Sequence, residues 1–376
     1  MFLALFVVII LLLLLGSYYL MTRFRSIVLK GEDPKKVSKE KRRKATLIAL
    51  IPILPIAIWC ILKPYMAVIA ILHLIIFWAI MEMLFSLIDM IRNRKLKDSG
   101  EKKKRTVPFW LPGVLAILLC IVYMSIAYFL AHHVYETRYE VKSSKTVSPL
   151  RVALIADSHI GACFDGEGFA EHIRTIETTH PDILVISGDY VDDDTKRKDM
   201  EISCAALGNI KTTYGVFYVP GNHDKGYSHY RDFSYEDLLA ELTKNNVKVL
   251  EDEVVEVGDD YYIVGRKDRS MPRKEISELI GPLDPSKYTI VLNHQPNDYK
   301  AESAANCDLV LSGHTHGGQM IPIGPIGELI GANDATYGRK TIGNTTFIVT
   351  SGIANWAIPY KTGTIAEYVL VDISAS

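Results

Sequence analysis

The 376-residue chain is 49% hydrophobic and carries a net charge of −1, a near-balance that hides an asymmetry. Segments 22–44 and 92–106 hold eighteen of the 42 Lys and Arg, leaving 24 basic against 38 acidic residues elsewhere, which disfavours a polyanionic partner such as nucleic acid. The five cysteines contain no CxxC pair, which disfavours a cysteine zinc site or a disulfide framework; Cys60 and Cys120 lie in apolar runs, and Cys163, Cys204 and Cys307 read as small buried hydrophobes.

Four apolar segments occupy residues 1–131, at about 2–21, 45–62, 66–91 and 107–131. Each is near or above the length that spans roughly 30 Å of hydrocarbon as a helix. The first has neither a basic start nor a small-residue cleavage motif and reads as a retained span. Lys63, Pro64 and Tyr65 make the turn between the second and third. Both basic segments stay cytoplasmic by the positive-inside rule, which places everything after Ala131 on the far side. Glu82 and Asp89 fall in the third span; a partner within the bundle and an interfacial position account for them better than an ion pathway. The region reads as a four-helix transmembrane anchor at a cell membrane.

A polar stretch, 132–147, reads as a linker, and the pattern then changes to short apolar runs alternating with helical segments through 148–376. The run 151–156 leads into Asp157-Ser158-His159, and 183–187 ends in Gly188-Asp189. The run 216–219 ends in Pro220-Gly221-Asn222-His223-Asp224. Further on, 289–293 leads into His294, and 309–312 into Gly313-His314-Thr315-His316. Segments 171–178 and 200–207 read as helices between the strands. Strands alternating with helices predict an α/β core with parallel pairing, and polar residues at the carboxyl ends of such strands converge on one edge.

Carboxylate, amide oxygen and imidazole together suit Mn, Fe or Zn, and the donors are too many for one ion. Two ions sharing a bridging carboxylate, about 3.5–4 Å apart, hold a hydroxide and clamp a phosphoryl group for in-line attack. Each fragment alone has a plainer explanation. Gly188-Asp189 suits a turn with a helix-capping aspartate, and Gly221-Asn222-His223-Asp224 suits an Asx turn. Their recurrence at five successive strand ends carries the metal reading. Asp192, Asp193 and Asp194 read as a solvated acidic loop.

The series Asp157-x-His159, Gly188-Asp189, Gly221-Asn222-His223-Asp224, His294 and Gly313-His314-Thr315-His316 resembles the signature of the calcineurin-like metallophosphoesterase superfamily. Gly317-Gly318-Gln319 and the multi-span N-terminus resemble its bacterial membrane-associated branch, YkuE-like and UDP-diacylglucosamine hydrolase-like. The resemblance implies a four-layer α/β sandwich, two mixed β-sheets flanked by helices, and two divalent ions. Asp157, His159 and His316 would hold the first ion, Asn222, His294 and His314 the second, and Asp189 would bridge them. His223 would act at the leaving-group oxygen, with Asp224 fixing its orientation. Lys361 stands where the family usually carries an arginine. The implied activity is hydrolysis of a phosphodiester or pyrophosphate bond in a phosphorylated small-molecule or lipid substrate, nucleotide-linked ones included. Phe164, Phe169, Tyr227, Tyr230 and Phe233 are candidate substrate contacts. The alternative is a membrane sensor or scaffold with a weakly active domain of the same fold. Oligomeric state is left open.

Overall fold

The computed structural model describes residues 2–97, 107–227, 231–321 and 324–376. The chain divides into two compact units, Met1–Ile126 and Ala127–Ser376. The first unit is helical: α1 (Phe2–Val28), α2 (Lys39–Leu50), α3 (Ile53–Leu62), α4 (Pro64–Lys97) and most of α5 (Leu111–His132). Leu20, Ala67, Ile71, Trp78 and Ala116 form its core. Glu82 is paired within the bundle, 3.0 Å from Arg23 and 3.2 Å from the Trp78 indole nitrogen.

Among the described residues, two helical segments are long and apolar enough to cross a membrane, Met66–Arg94 and Leu111–His132, rather than four. The expected second span, 45–62, is interrupted at Ile51 and Pro52 and divides between α2 and α3, of 12 and 10 residues. Proline at position 52 has no N–H for the i→i−4 ladder, so an uninterrupted helix through it is disfavoured. The expected first span lies in α1, a 27-residue helix, but the side chains of residues 2–10, 12 and 13 are outside the described set. Residues 98–106, most of the second basic segment, are also outside it.

In the second unit β1 (Val134–Ser143) and β2 (Leu150–Ile155) precede α6 (Gly166–Glu177). Then come β3 (Ile183–Ser187), α7 (Arg197–Asn209), β4 (Gly215–Val219), α8 (Tyr235–Lys244) and β5 (Val247–Val249). The second half holds β6 (Glu253–Val257), β7 (Tyr261–Gly265), α9 (Ile276–Ile280), β8 (Tyr288–Leu292), α10 (Tyr299–Ala304) and β9 (Leu309–Ser312). It closes with α11 (Gly324–Leu329), β10 (Gly338–Ile342), β11 (Thr345–Val349) and β12 (Ala366–Ala375). Two six-stranded mixed sheets result, ordered β1-β12-β2-β3-β4-β5 and β10-β11-β9-β8-β7-β6.

Alternation along each strand builds the layers. Val152, Leu154, Val185 and Phe217 of the first sheet face Ile263, Ile290, Leu309 and Leu311 of the second in a shared apolar layer. Their neighbours Ala153, Ile155, Leu184 and Ile186 point outward onto Phe169, Ile173, Cys204 and Leu238 of α6, α7 and α8. Val264, Val291 and Val310 face Ile276, Leu279 and Tyr299 on the opposite side. This is a four-layer helix–sheet–sheet–helix sandwich. Strands buried on both faces explain the continuous apolar runs, and their carboxyl ends carry the polar motifs.

The stretch 132–147 is not a linker. Most of it is β1, which pairs in parallel with β12 over ten residues, from Val134↔Ala366 to Ser143↔Ala375. Its alternation of exposed and half-buried positions belongs to an edge strand, whose weak apolar content resembles a polar connector. Comparing 127–376 with 148–376 by thermal unfolding tests this role. Loss of β1 is expected to lower the midpoint by roughly 10 °C, the scale of a few kcal/mol in a domain of this size; equal midpoints would show that the strand adds nothing.

Candidate metal centre

All seven donor residues expected from the sequence meet at one edge of the sandwich. Asp157 and His159 follow β2, Asp189 follows β3, and Asn222 and His223 follow β4. His294 follows β8, and His314 and His316 follow β9. Donor atoms of Asp157, His159 and His316 lie within 4.8 Å of one another, and so do those of Asp189, His294 and His314. Asn222 joins the second set, its Oδ1 3.2 Å from His294 Nε2. Asp189 Oδ2 is 3.2 Å from His294 Nε2 and 3.8 Å from His159 Nε2, placing one carboxylate between the sets. Its other oxygen accepts the His223 backbone N–H at 2.8 Å.

Two glycines make this proximity possible. A Cβ on Gly188, whose φ is +79°, would collide with the His294 ring, and one on Gly221 would collide with the Asp189 carboxylate. The donors themselves hold unusual backbones: Asp157 (φ 55°), His159 (35°), Asp189 (50°), His314 (71°) and His316 (50°) are all left-handed. Such conformations cost about 1–3 kcal/mol each and persist where surrounding structure imposes them, typically at functional sites.

Hydrogen bonding decides which imidazole nitrogens are free. His294 Nδ1 donates to the Ser187 carbonyl at 2.8 Å, leaving Nε2 as the nitrogen directed at Asp189 and Asn222. His159 Nδ1 lies 3.2 Å from Asp192 Oδ2, an ion-pair contact without hydrogen-bond alignment, and His316 Nδ1 lies 3.4 Å from the Ala354 carbonyl. With both protons on Nδ1, the Nε2 atoms of His159 and His316 face each other as lone pairs 3.2 Å apart in a buried space. That arrangement is repulsive alone and is satisfied by a cation between the two, so the donor set fits a metal ion.

The electrostatics agree. Burial pushes the Asp157 carboxyl up to about 6. Burial pushes His314 down to about 4 and His316 well below its usual value, keeping both neutral as ligands must be. On His294 burial acts the same way, but the Asp189 and Asp157 charges outweigh it and hold the ring up to about 10, so without a cation a proton sits on Nε2, which a bound metal ion would have to displace. On Asp189 burial is outweighed in turn by His294 and His159, and its carboxyl falls well below the carboxylate range. The buried acids demand positive charge.

His223 is oriented by a residue the sequence reading set aside. Its Nδ1 lies 3.0 Å from Asp192 Oδ1, while Asp192 Oδ2 faces His159. Asp192 therefore holds two rings and is no free acidic loop; three consecutive aspartates gave no hint which one turned inward. Asp224, expected to orient His223, is fully buried and engaged elsewhere. Its Oδ1 accepts from Tyr190 and Val191 N–H, and its Oδ2 from Gly221 N–H. Lys361 does not replace a phosphate-binding arginine. It is fully buried, its Nζ donating to the Ser351 and Ile365 carbonyls, and burial pushes it down to about 8.

Of the candidate substrate aromatics, Phe169 and Phe233 belong to the core and Phe164 packs against it. Tyr227 is exposed and sits edge-on to His223 at 5.2 Å. Tyr230 lies outside the described residues. Trp356, which no sequence motif marked, lies 5.4 Å from the His223 ring.

Comparison with known proteins agrees with this geometry. The profile of the calcineurin-like phosphoesterase family matches residues 150–318. A metallophosphoesterase of Aquifex aeolicus is 30% identical over 248 residues, covering 63% of this chain and 90% of that protein. One from Helicobacter pylori J99 is 32% identical over 221 residues, 56% of each chain. A bovine transmembrane protein with metallophosphoesterase domain is 27% identical over 250 residues, 61% of this chain and 54% of that one. The chain belongs to the calcineurin-like phosphoesterase family. It spans little more than half the length of the Helicobacter protein.

The double role of Asp192 is open to a direct measurement. Asp192→Asn is expected to weaken metal binding by about 10–100-fold, the usual cost of losing a group that orients a histidine ligand. Competition with a chromogenic chelator reads it, and unchanged affinity would show that His159 is held without Asp192.

Proposed function

We propose that the chain is a membrane-anchored, two-metal phosphoesterase whose catalytic unit hydrolyses a phosphodiester or pyrophosphate bond outside the cytoplasm. The observation that carries this reading is Asp189 Oδ2, standing between two donor sets, the first fully buried. Two divalent ions (Mn, Zn or Fe) bound there would supply a hydrolytic water of lowered pKa and charge to stabilise the phosphoryl oxygens. Asp157, His159 and His316 would hold the first ion and Asn222, His294 and His314 the second.

His223 supplies the proton for the leaving-group oxygen from Nε2, since Nδ1 is held by Asp192. Burial favours its neutral form, but the Asp192 hydrogen bond and the Asp189 charge outweigh burial and raise it, which favours the protonated ring a general acid needs. Asp224 acts through the backbone, holding the loops of Asp189 and Asn222 together.

The extracytoplasmic placement needs only α5. Eight Lys and Arg in 92–106 precede that helix, and the positive-inside rule keeps them cytoplasmic. The far end of α5 then leads directly into β1 on the other side of the membrane. A lipid-linked or nucleotide-linked substrate suits an enzyme tethered so closely.

The test uses the full chain in detergent, stripped with chelator and reloaded with Mn or Zn, and assayed on bis-(p-nitrophenyl) phosphate and p-nitrophenyl phosphate. Turnover is expected to return with about two ions per chain and to be lost in Asp189→Asn. His223→Ala is expected to keep both ions and lose roughly 10²–10⁴-fold in kcat, the usual worth of a general acid. No stoichiometric metal and no turnover on either reagent would sink the reading.

A further inference from the structure

We propose that α11 and the loop carrying Trp356 form a lipid-docking surface that seats the metal-centre edge of the catalytic unit on the membrane. This rests on the membrane-anchored reading above, though not on the hydrolytic chemistry.

The helix α11 has no buried residue. Ile326 and Leu329 share one face, and Ile330 directly follows the helix with its N–H bonded to the Ile326 carbonyl; Leu329 is 81% and Ile330 73% exposed. Ile321 just before the helix and Trp356 are also exposed, at 60% and 47%. Among the described residues from β1 onward, these five are the only exposed large aliphatic or tryptophan side chains; the other exposed large hydrophobics are tyrosines with a polar tip. A clustered apolar patch in an otherwise ordinary surface marks an interaction site.

The pieces are fastened together. Gln319, the end of the Gly317-Gly318-Gln319 motif, donates its side-chain amide to the Trp356 and Ile358 carbonyls at 3.1 Å each. Thr362 N–H donates to the Gln319 carbonyl, and Ile321 N–H donates to Thr362 Oγ1. The lead-in to α11 and the Trp356 loop are therefore tied together, and the position of Trp356 beside His223 ties them to the site.

The occupant follows from where the same loop is attached. Lys361 N–H donates to the Ala127 carbonyl at 2.9 Å, and the Tyr360 ring lies 6.3 Å from that of Tyr128. Both partners belong to the last turns of α5, a helix apolar enough to cross a membrane. A loop hooked to the end of such a helix lies where the interface with lipid headgroups begins, and a tryptophan with a short aliphatic stripe suits that boundary. A stable protein interface engages about 20–30 residues on each side. Five side chains fall well short of that, whereas shallow insertion into lipid needs no more.

The experiment places an environment-sensitive fluorophore at Leu329→Cys in the full chain, reconstituted in phosphatidylcholine/phosphatidylglycerol vesicles. Lys211→Cys, on the exposed loop after α7, is the reference. Nitroxide-bearing lipid is expected to quench position 329 at least about threefold more than position 211, with aqueous iodide showing the reverse order, as shallow insertion requires. Equal iodide quenching at both positions without lipid quenching overturns the proposal. Protection of position 329 from both quenchers also overturns it, in favour of a protein cover such as a second copy. Neither readout requires turnover, so failure here is distinguishable from failure of the hydrolase reading.

Discussion

Everything at the site depends on keeping one buried carboxylate charged and still between two sets of donors. Asp189 is 1% exposed and has no water to solvate it, so its charge must be met by neighbours. One oxygen is committed to the His223 N–H, and the other faces His294 and His159. A left-handed backbone at Asp189 turns the chain toward Gly221, where the absence of a side chain admits the carboxylate. Asp224 then locks the arrangement. Its two oxygens accept three backbone N–H groups, from Gly221 on one loop and from Tyr190 and Val191 on the other. The β3 and β4 ends thereby become a single rigid cradle.

The two sheets share the work of building each donor set. Asp157, His159, Asp189 and Asn222 come from the first sheet, and His294, His314 and His316 from the second. Neither sheet alone can complete either set, so spacing at the metal centre is inherited from the apolar layer between them. Val185 and Leu311 lie in that layer, and at its edge polar links continue the joint. Ser187 Oγ donates to the Leu311 carbonyl at 3.1 Å, and the Ser187 carbonyl accepts from His294. Interiors packed to native density transmit small shifts. A cavity in the central layer would therefore move ligands many residues away, whereas one beneath α9 would not reach them directly.

The donors were legible because each sits at the end of a strand whose apolar run is unmistakable, and because glycine precedes Asp189, Asn222 and His314. What was illegible has physical reasons. β1 carries little apolar surface because it is an edge strand, so only its partner β12 reveals it. The break at Pro52 was written in the sequence but lay inside a hydropathy window that averages over it. Asp192 takes the role expected of Asp224 because sequence adjacency favoured Asp224 as the partner of His223, whereas the turn after Asn222 directs the Asp224 carboxylate back toward the backbone. Trp356 is 133 positions from His223 and reaches it only through the return of the chain along β11 and the loop that follows.

Asp192 gives the site a coupling that a list of ligands does not contain. One oxygen holds Nδ1 of His159, a donor of the first set, and the other holds Nδ1 of His223 beside the second. Burial opposes the charge on Asp192, yet the two imidazoles hold its carboxyl below the usual range, so it remains an acceptor for both. A displacement of either ring is felt by the other through a lever only one carboxylate long. On the proposed mechanism, the nitrogen that would hold metal and the nitrogen that would deliver the proton are thus set by the same side chain. Acid strength at His223 and donor strength at His159 cannot be tuned independently in this chain, because any change in the Asp192 charge alters both at once.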